Sequence, residues 1–140
     1  MLNRSIEFTI PKEPKYFLWD WSTVEDRGAR IENFVASALL KAVHFWTDHG
    51  LGEYGVHFIR DKQKRGVDFL VTRDNEPWFL AEVKSSGRTG LSKNLGYFQE
   101  MTGAAHAFQV AFDMPPVKRD CFSVKKPVIV PAGTFLAQLV

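Results

Sequence analysis

The apolar positions of this chain change period along its length, and each change marks an element. Ile31, Phe34, Val35, Ala38, Leu39, Ala42, Val43 and Trp46 recur at three-and-four spacing, which places them on one side of a long helix. Ser22-Thr23-Val24-Glu25 has the form of a capping box before it, and Gly50 that of a stop after it. Beyond Gly52 the period falls to two: Tyr54, Val56 and Phe58 alternate through a strand ending at Arg60. Residues 67–72 and 78–84 read as two further strands joined by turn chemistry at Asp74-Asn75-Glu76. Helical spacing returns with Leu91, Leu95, Phe98 and Met101, closed by Gly103. Residues 106–112 alternate through Phe108, Val110 and Phe112, and the intervening helix predicts that this strand runs parallel to the one before it. A short last strand at 127–131 and a terminal helix from Gly133 complete the chain. Upstream, 5–10 reads as an edge strand broken by Pro11 and Pro14, and 15–21 as a short strand entering the core.

The charged residues inside the hairpin alter this picture. Alternation puts Asp68, Leu70 and Thr72 on one face, and Leu80, Glu82 and Lys84 on one face of the partner strand. With the turn centred on Asn75, Asp68 lies directly opposite Glu82. Opposed carboxylates repel, and a cation bound by both, with Lys84 beside them, removes the penalty. The surrounding run (Val67, Phe69, Leu70, Val71; Phe79, Leu80, Ala81, Val83) is that of strands covered on both faces, where charges need partners. The alternative is a surface hairpin with ordinary charges. At about 100° per residue Glu32 projects between Leu39 and Val43, within the apolar arc of its helix. It is either a third carboxylate of the same site or a rim residue paired with Arg30 or Arg60. Lys62, Lys64 and Arg65 immediately precede Asp68, while Arg88 and Lys93 follow the second strand. They form either a phosphate-binding rim or solvated turns.

Composition narrows the class. At 140 residues, 45% hydrophobic and 24% charged, the chain is one globular domain, large enough to bury about two thirds of its unfolded surface. A net charge of +2 means that any basic footprint is local. Cys121 is the one cysteine, which excludes an internal disulfide and suits a reducing compartment. No apolar run reaches the length of a membrane span and no signal-peptide pattern opens the chain, so a cytoplasmic location without a membrane partner is expected. His44, His49, His57 and His106 have no zinc spacing with the cysteine.

Asp68, followed fourteen residues later by Glu82-x-Lys84, resembles the PD-(D/E)xK nuclease signature, with Val67 in place of the name-giving proline. That resemblance implies an α/β, restriction-endonuclease-like fold with a central mixed β-sheet flanked by helices. It implies Asp68, Glu82 and Glu32 as ligands of Mg²⁺ or Mn²⁺, with Lys84 completing the catalytic set by assisting the attacking water. DNA would lie against Lys62, Lys64, Arg65, Arg88 and Lys93. Gln99, on the helix after the hairpin, either faces this site, as a helical glutamine does in some RecB-like nucleases, or faces solvent. A tighter resemblance covers most of the chain. Glu32-Asn33-Phe34-Val35, Arg60-Asp61-Lys62, Val67-Asp68-Phe69 and Glu82-Val83-Lys84 are similar to the C-terminal domain of prokaryotic AAA-type ATP-binding proteins. This implies an N-terminal ATPase domain in a longer parent protein; the chain itself has no G-x-x-x-x-G-K-[ST] loop to bind ATP. Gly66 departs from the pattern, where the family commonly has Glu. Two functions follow: a divalent-metal-dependent phosphodiesterase acting on DNA, and a catalytically inactive module that keeps the fold and binds nucleic acid or a partner protein.

Overall fold

The computed structural model of the chain describes residues 6–7 and 27–139. The expected strand at 15–21 and the capping box at 22–25 lie outside the described residues, and of the expected edge strand only Ile6–Glu7 (β1) lies within them. The long helix is α1, Arg27–Asp48. It ends as its glycine predicts. Gly50 is left-handed at φ 74°, and Leu51 N–H bonds Trp46 O while Gly50 N–H bonds Thr47 O. Those two bonds satisfy carbonyls that a helix end leaves open. Then come β2 (Tyr54–Asp61), β3 (Gly66–Arg73), β4 (Glu76–Lys84), α2 (Lys93–Thr102), β5 (His106–Ala111), β6 (Val128–Pro131) and α3 (Ala132–Ala137). Ser92 caps α2 by accepting from Asn94 N–H, and Gly103 closes it at φ 74°. Short 3-10 turns at Gly87–Thr89 and Cys121–Ser123 lie in the two longest connections after β4.

The strands form one six-stranded sheet in sequence order. β1 to β4 are antiparallel; β5 runs parallel to β4, as the crossover helix predicts, and β6 parallel to β5. The result is a mixed α/β domain. α1 and α3 cover one face, where Val35, Leu39, Val43 and Phe135 pack with Phe69, Val71, Phe79, Ala81, Phe108 and Val110. α2 covers the other, with Leu95 and Phe98 against Leu70, Leu80 and Ala107. Coverage on both faces is why the central strands read as unbroken apolar runs rather than alternating ones. Among the described residues, no helix is long and apolar enough to cross a membrane.

Two irregularities set the register. The β3–β4 connection has Asp74 at φ 51° and Asn75 at φ 66°, and Arg73 pairs with Glu76 across them. Both central residues are left-handed, the requirement of a type I′ hairpin whose twist matches the strands. Asp74 also ties the turn to the start of β2, its carboxylate accepting from Glu53 N–H at 2.8 Å. The turn centre therefore falls half a residue before Asn75. Thr72 pairs with Pro77 but Val71 with Phe79, so Trp78 is the extra residue that restores the expected register, continuing as Leu70↔Leu80 and Phe69↔Ala81. The second irregularity lies between β2 and β3. His57 pairs with Leu70 and Ile59 with Val67, so Asp68 and Phe69 together oppose Phe58. A bulge bends its strand and re-aims a side chain, and here it falls on the aspartate.

Gly66 marks the tightest contact beside that bulge. A Cβ there would come within 2.5 Å of the Ile59 carbonyl oxygen on the paired strand. The obstacle is main chain and cannot swing aside. A glutamate at this position does not fit the β2–β3 seam as it stands. Gly66→Ala should therefore lower stability by about 1–3 kcal/mol. Gly96, inside α2, offers the contrasting case, because its Cβ would meet only Pro127 Cγ at 3.9 Å. Gly96→Ala should raise stability by about 0.5–1 kcal/mol through helix propensity. Thermal melts of both variants check the pair of opposite signs.

Candidate functional site

The β3–β4 ladder ends with Phe69↔Ala81, one step short of Asp68 and Glu82. There the Asp68 carboxylate turns into the seam, and its Oδ2 accepts the Val83 N–H at 2.8 Å. A side-chain oxygen thus takes the bond that a main-chain carbonyl would take in a continuing ladder. Val83 lies between Glu82 and Lys84 in β4, so this one bond joins the three residues of the sequence motif.

Glu82 is only 9% exposed. Its Oε2 is buried with no hydrogen-bond partner among the described residues. Phe79 and Ala81 belong to the face under α1 and α3, and Leu80 to the face under α2, so alternation places Glu82 on the α2 face. Its lateral neighbour in β5 is Gln109. An isolated buried carboxylate is unfavourable by several kcal/mol unless a cation or a proton compensates it. Lys84 is partly buried beside it, and its carbonyl accepts Phe112 N–H at 3.1 Å, holding the ends of β4 and β5 together.

Gln109 is the residue that the alternation of 106–112 passed over. It is fully buried; its Oε1 accepts Ser92 N–H at 2.8 Å and its Nε2 donates to Gly90 O at 2.7 Å. The loop joining β4 to α2 is thereby fastened beside Glu82. A polar residue between Phe108 and Val110 in an otherwise apolar strand was the available signal, since such a strand buries no amide without partners. Asp113, just past β5, is a second such residue. Its Oδ1 accepts Gly87 N–H at 2.8 Å, and that bond, with the Ser86 hydroxyl, holds the carboxyl below the usual carboxylate range.

The remaining expected residues separate by position. Glu32 is partly buried on the second turn of α1. Among the described residues, no group of three or more His, Cys, Asp or Glu side chains is placed to hold a metal ion. Lys62, Lys64, Arg88 and Lys93 are exposed. Arg65 is occupied: its Nε donates to Asp61 Oδ2 at 2.9 Å and its Nη2 to Tyr97 Oη at 3.1 Å. Its guanidinium carbon also sits 4.2 Å from the Tyr97 ring centroid. This residue latches the β2–β3 turn to α2 instead of standing free for a phosphate. Gln99 donates to Ala104 O at 3.3 Å and Lys125 O at 2.5 Å. Ala104 precedes the start of β5, so the Gln99 amide is engaged at the end of the sheet away from Lys84.

A mixed sheet covered on both faces, with a buried carboxylate where two central strands part, defines an α/β domain with a candidate ion or phosphate site. Residues 27–127 match the family described as a domain of unknown function, DUF4143, and the chain belongs to that family. No curated protein and no solved structure matches the chain.

Asp61 supplies a pH-dependent prediction. Burial alone would raise its carboxyl, but the Arg65 N–H, the Arg65 guanidinium and the Gln63 N–H outweigh burial and hold it below the ordinary value. A carboxyl lowered on folding stabilises at pH above its unfolded value, and that stabilisation is lost as pH falls through the folded value. Asp61→Asn should melt lower than the natural protein at neutral pH. The gap should narrow on acidification from ~pH 6 to ~pH 3, across the ordinary carboxylate range. Melts over that interval, with Asp61→Asn as reference, measure it.

Proposed function

We propose that this domain is a divalent-metal-dependent phosphodiesterase acting on DNA, built on a restriction-endonuclease-like sheet. The observation that carries the reading is the Glu82 carboxylate, buried with one oxygen unpartnered among the described residues, two positions before Lys84 and adjacent to Val83, whose N–H the Asp68 carboxylate accepts. The donor set fits a hard cation. Asp68 and Glu82 would hold it, and Mg²⁺ in particular binds through few carboxylates and keeps several waters. When bound, the ion supplies Lewis-acid activation of water and neutralises charge at the scissile phosphate. The chain's own residues contribute the rest. Val83 N–H fixes the rotamer of Asp68. Lys84 projects a cation at the strand end, where it orients the attacking water and stabilises negative charge developing on phosphate oxygens. Lys62, Lys64, Arg88 and Lys93 supply phosphate contacts around it, and an ATPase domain in the parent protein supplies the coupled partner.

Gly66 favours a second reading, that of an inactive nuclease-fold module binding nucleic acid or protein. The seam excludes a side chain at that position, so the carboxylate commonly found there is not merely missing but sterically barred. The two readings divide on supercoiled plasmid incubated with Mg²⁺ or Mn²⁺. The natural chain should nick it, and Asp68→Ala and Lys84→Ala should each lower the rate at least about a hundredfold, the scale of losing an electrostatic or proton-transfer group. Cleavage that survives both substitutions would come from a contaminant and leave the inactive module standing.

Metal binding has its own readout. An ion that binds the folded seam but not the unfolded chain should stabilise by about 3 kcal/mol at a hundredfold excess over its dissociation constant. Millimolar Mn²⁺ should therefore raise the melting temperature, and Asp68→Asn should abolish the rise. A folded natural protein whose melt ignores Mn²⁺ and Mg²⁺ would show that the pair holds no divalent ion.

A further inference from the structure

Because β4 and β5 are parallel neighbours, both leave the sheet at the same end, with Lys84 paired to Ala111. Two loops begin there, at the edge of the candidate site, and both are held by polar bonds. In the first, Gln109 grips Gly90 and Ser92, and Asp113 grips Gly87. The second runs from Phe112 to Asp120 and is strapped to α3. Thr134 Oγ1 accepts Val117 N–H at 2.8 Å and donates to Val117 O at 3.1 Å. Gln138 accepts Cys121 N–H at 2.8 Å and donates to Arg119 O. The loops touch each other, since a Cβ on Gly87 would lie 2.6 Å from Met114 Sδ.

Such fixed loops could bury their apolar side chains, yet Leu91 is 44%, Met114 36% and Val117 52% exposed. Exposed cations accompany them: Arg88, Lys118 and Arg119. Asp113 and Asp120 stand among these cations, Asp113 accepting Gly87 N–H with the Arg88 charge acting on it and Asp120 accepting Phe122 N–H at 3.0 Å, so the loops carry three cations against two carboxylates. The surface is therefore apolar with a small net positive charge, and both its loops start where Lys84 ends β4. An intact duplex offers it only phosphates, its base faces being stacked away. An unpaired strand offers phosphates to the cations and open base faces to Leu91, Met114 and Val117.

We propose that these two loops hold unpaired nucleotides of the strand whose phosphate lies at Asp68, Glu82 and Lys84, so that the substrate class is nucleic acid with a single-stranded segment. The proposal rests on the nucleic-acid reading of the site and names the form of the substrate. It is tested by fluorescence anisotropy on the full chain in EDTA, with a labelled single-stranded oligonucleotide and a blunt duplex of equal length. The single strand should bind at least about tenfold more tightly. Met114→Ser with Val117→Ser should weaken single-strand binding on the order of tenfold, the scale of removing partly buried apolar side chains from the bases, while leaving duplex affinity unchanged. Should that pair unfold the chain, Val117→Ser alone is read for the same selective loss. Lys118→Glu with Arg119→Glu should reduce the salt slope on the single strand by about 1.4, two phosphate contacts at roughly 0.7 each. Equal or tighter binding of duplex overturns the proposal, as does polyglutamate displacing the oligonucleotide with equal potency, which marks a surface reading charge alone. If Lys62→Glu with Lys64→Glu weakens binding but the loop variants do not, the loops are off the path and the nucleic-acid reading stands without them. Absence of binding to either oligonucleotide removes both.

Discussion

A backbone N–H in the interior of a sheet must be bonded, and at Val83 its partner is the carboxylate of Asp68 rather than a carbonyl of the neighbouring strand. Much of the candidate site depends on that substitution. While β3 and β4 remain laddered, from Arg73↔Glu76 to Phe69↔Ala81, their side chains are committed to the two cores. Where the bulge at Asp68 and Phe69 interrupts the pairing with β2, the strands can part without leaving Val83 unsatisfied. The bond that closes the ladder also fixes the rotamer of the Asp68 carboxylate. One hydrogen bond serves the fold and orients a candidate ligand.

The supports behind this seam are polar side chains committed to main chain or to neighbouring side chains. Gln109 spends its amide on the loop after β4, Asp113 on the next turn, Asn94 on Gly66 O at 3.3 Å, and Arg65 on Asp61 and Tyr97. Each bond of this kind contributes only about 1 kcal/mol net, less than a single buried phenylalanine of the core. Their effect is in placement. The aromatic clusters set how stable the sheet is, whereas these few bonds set where its loops stand relative to Glu82.

Much of this arrangement was legible in the sequence because it follows from periodicity. The helix of 31–46, the hairpin, the parallel return through 106–112 and the closing glycines at 50 and 103 each have local causes: apolar spacing, left-handed turn residues and a crossover long enough for a helix. The register leading toward Asp68 and Glu82 was also legible as far as Phe69↔Ala81, though through two compensating details. The turn is centred half a residue early, and the extra residue at Trp78 restores the pairing. Neither can be read from alternation, because both arise from how twist is accommodated between particular strands. The basic run before Asp68 was ambiguous for another reason. Arg65 and Lys64 look alike in a charge count, but only Arg65 finds a carboxylate at its own turn and a ring on α2. Gln99 was open for a related reason, because its place on α2 does not say which end of the sheet its amide meets.

The physical argument for a site then turns on Glu82. One of its carboxylate oxygens is buried without a hydrogen-bond partner among the described residues, an arrangement that is unfavourable unless something compensates it. Nothing in the packing of β4 against α2 requires a carboxylate, since Leu80 occupies the same face on the same strand. A buried carboxylate oxygen without a partner among the described residues is the kind of group whose partner is commonly a water or an ion. Gly66 does not weaken this argument. A glycine that lets β2 pass close to β3 explains why no third acid stands at that position, and the seam it permits is the one that orients Asp68. With two carboxylates and one lysine, the cation site would take most of its remaining ligands from water and from substrate phosphate. That is the coordination Mg²⁺ favours, and it makes metal affinity and substrate affinity rise together.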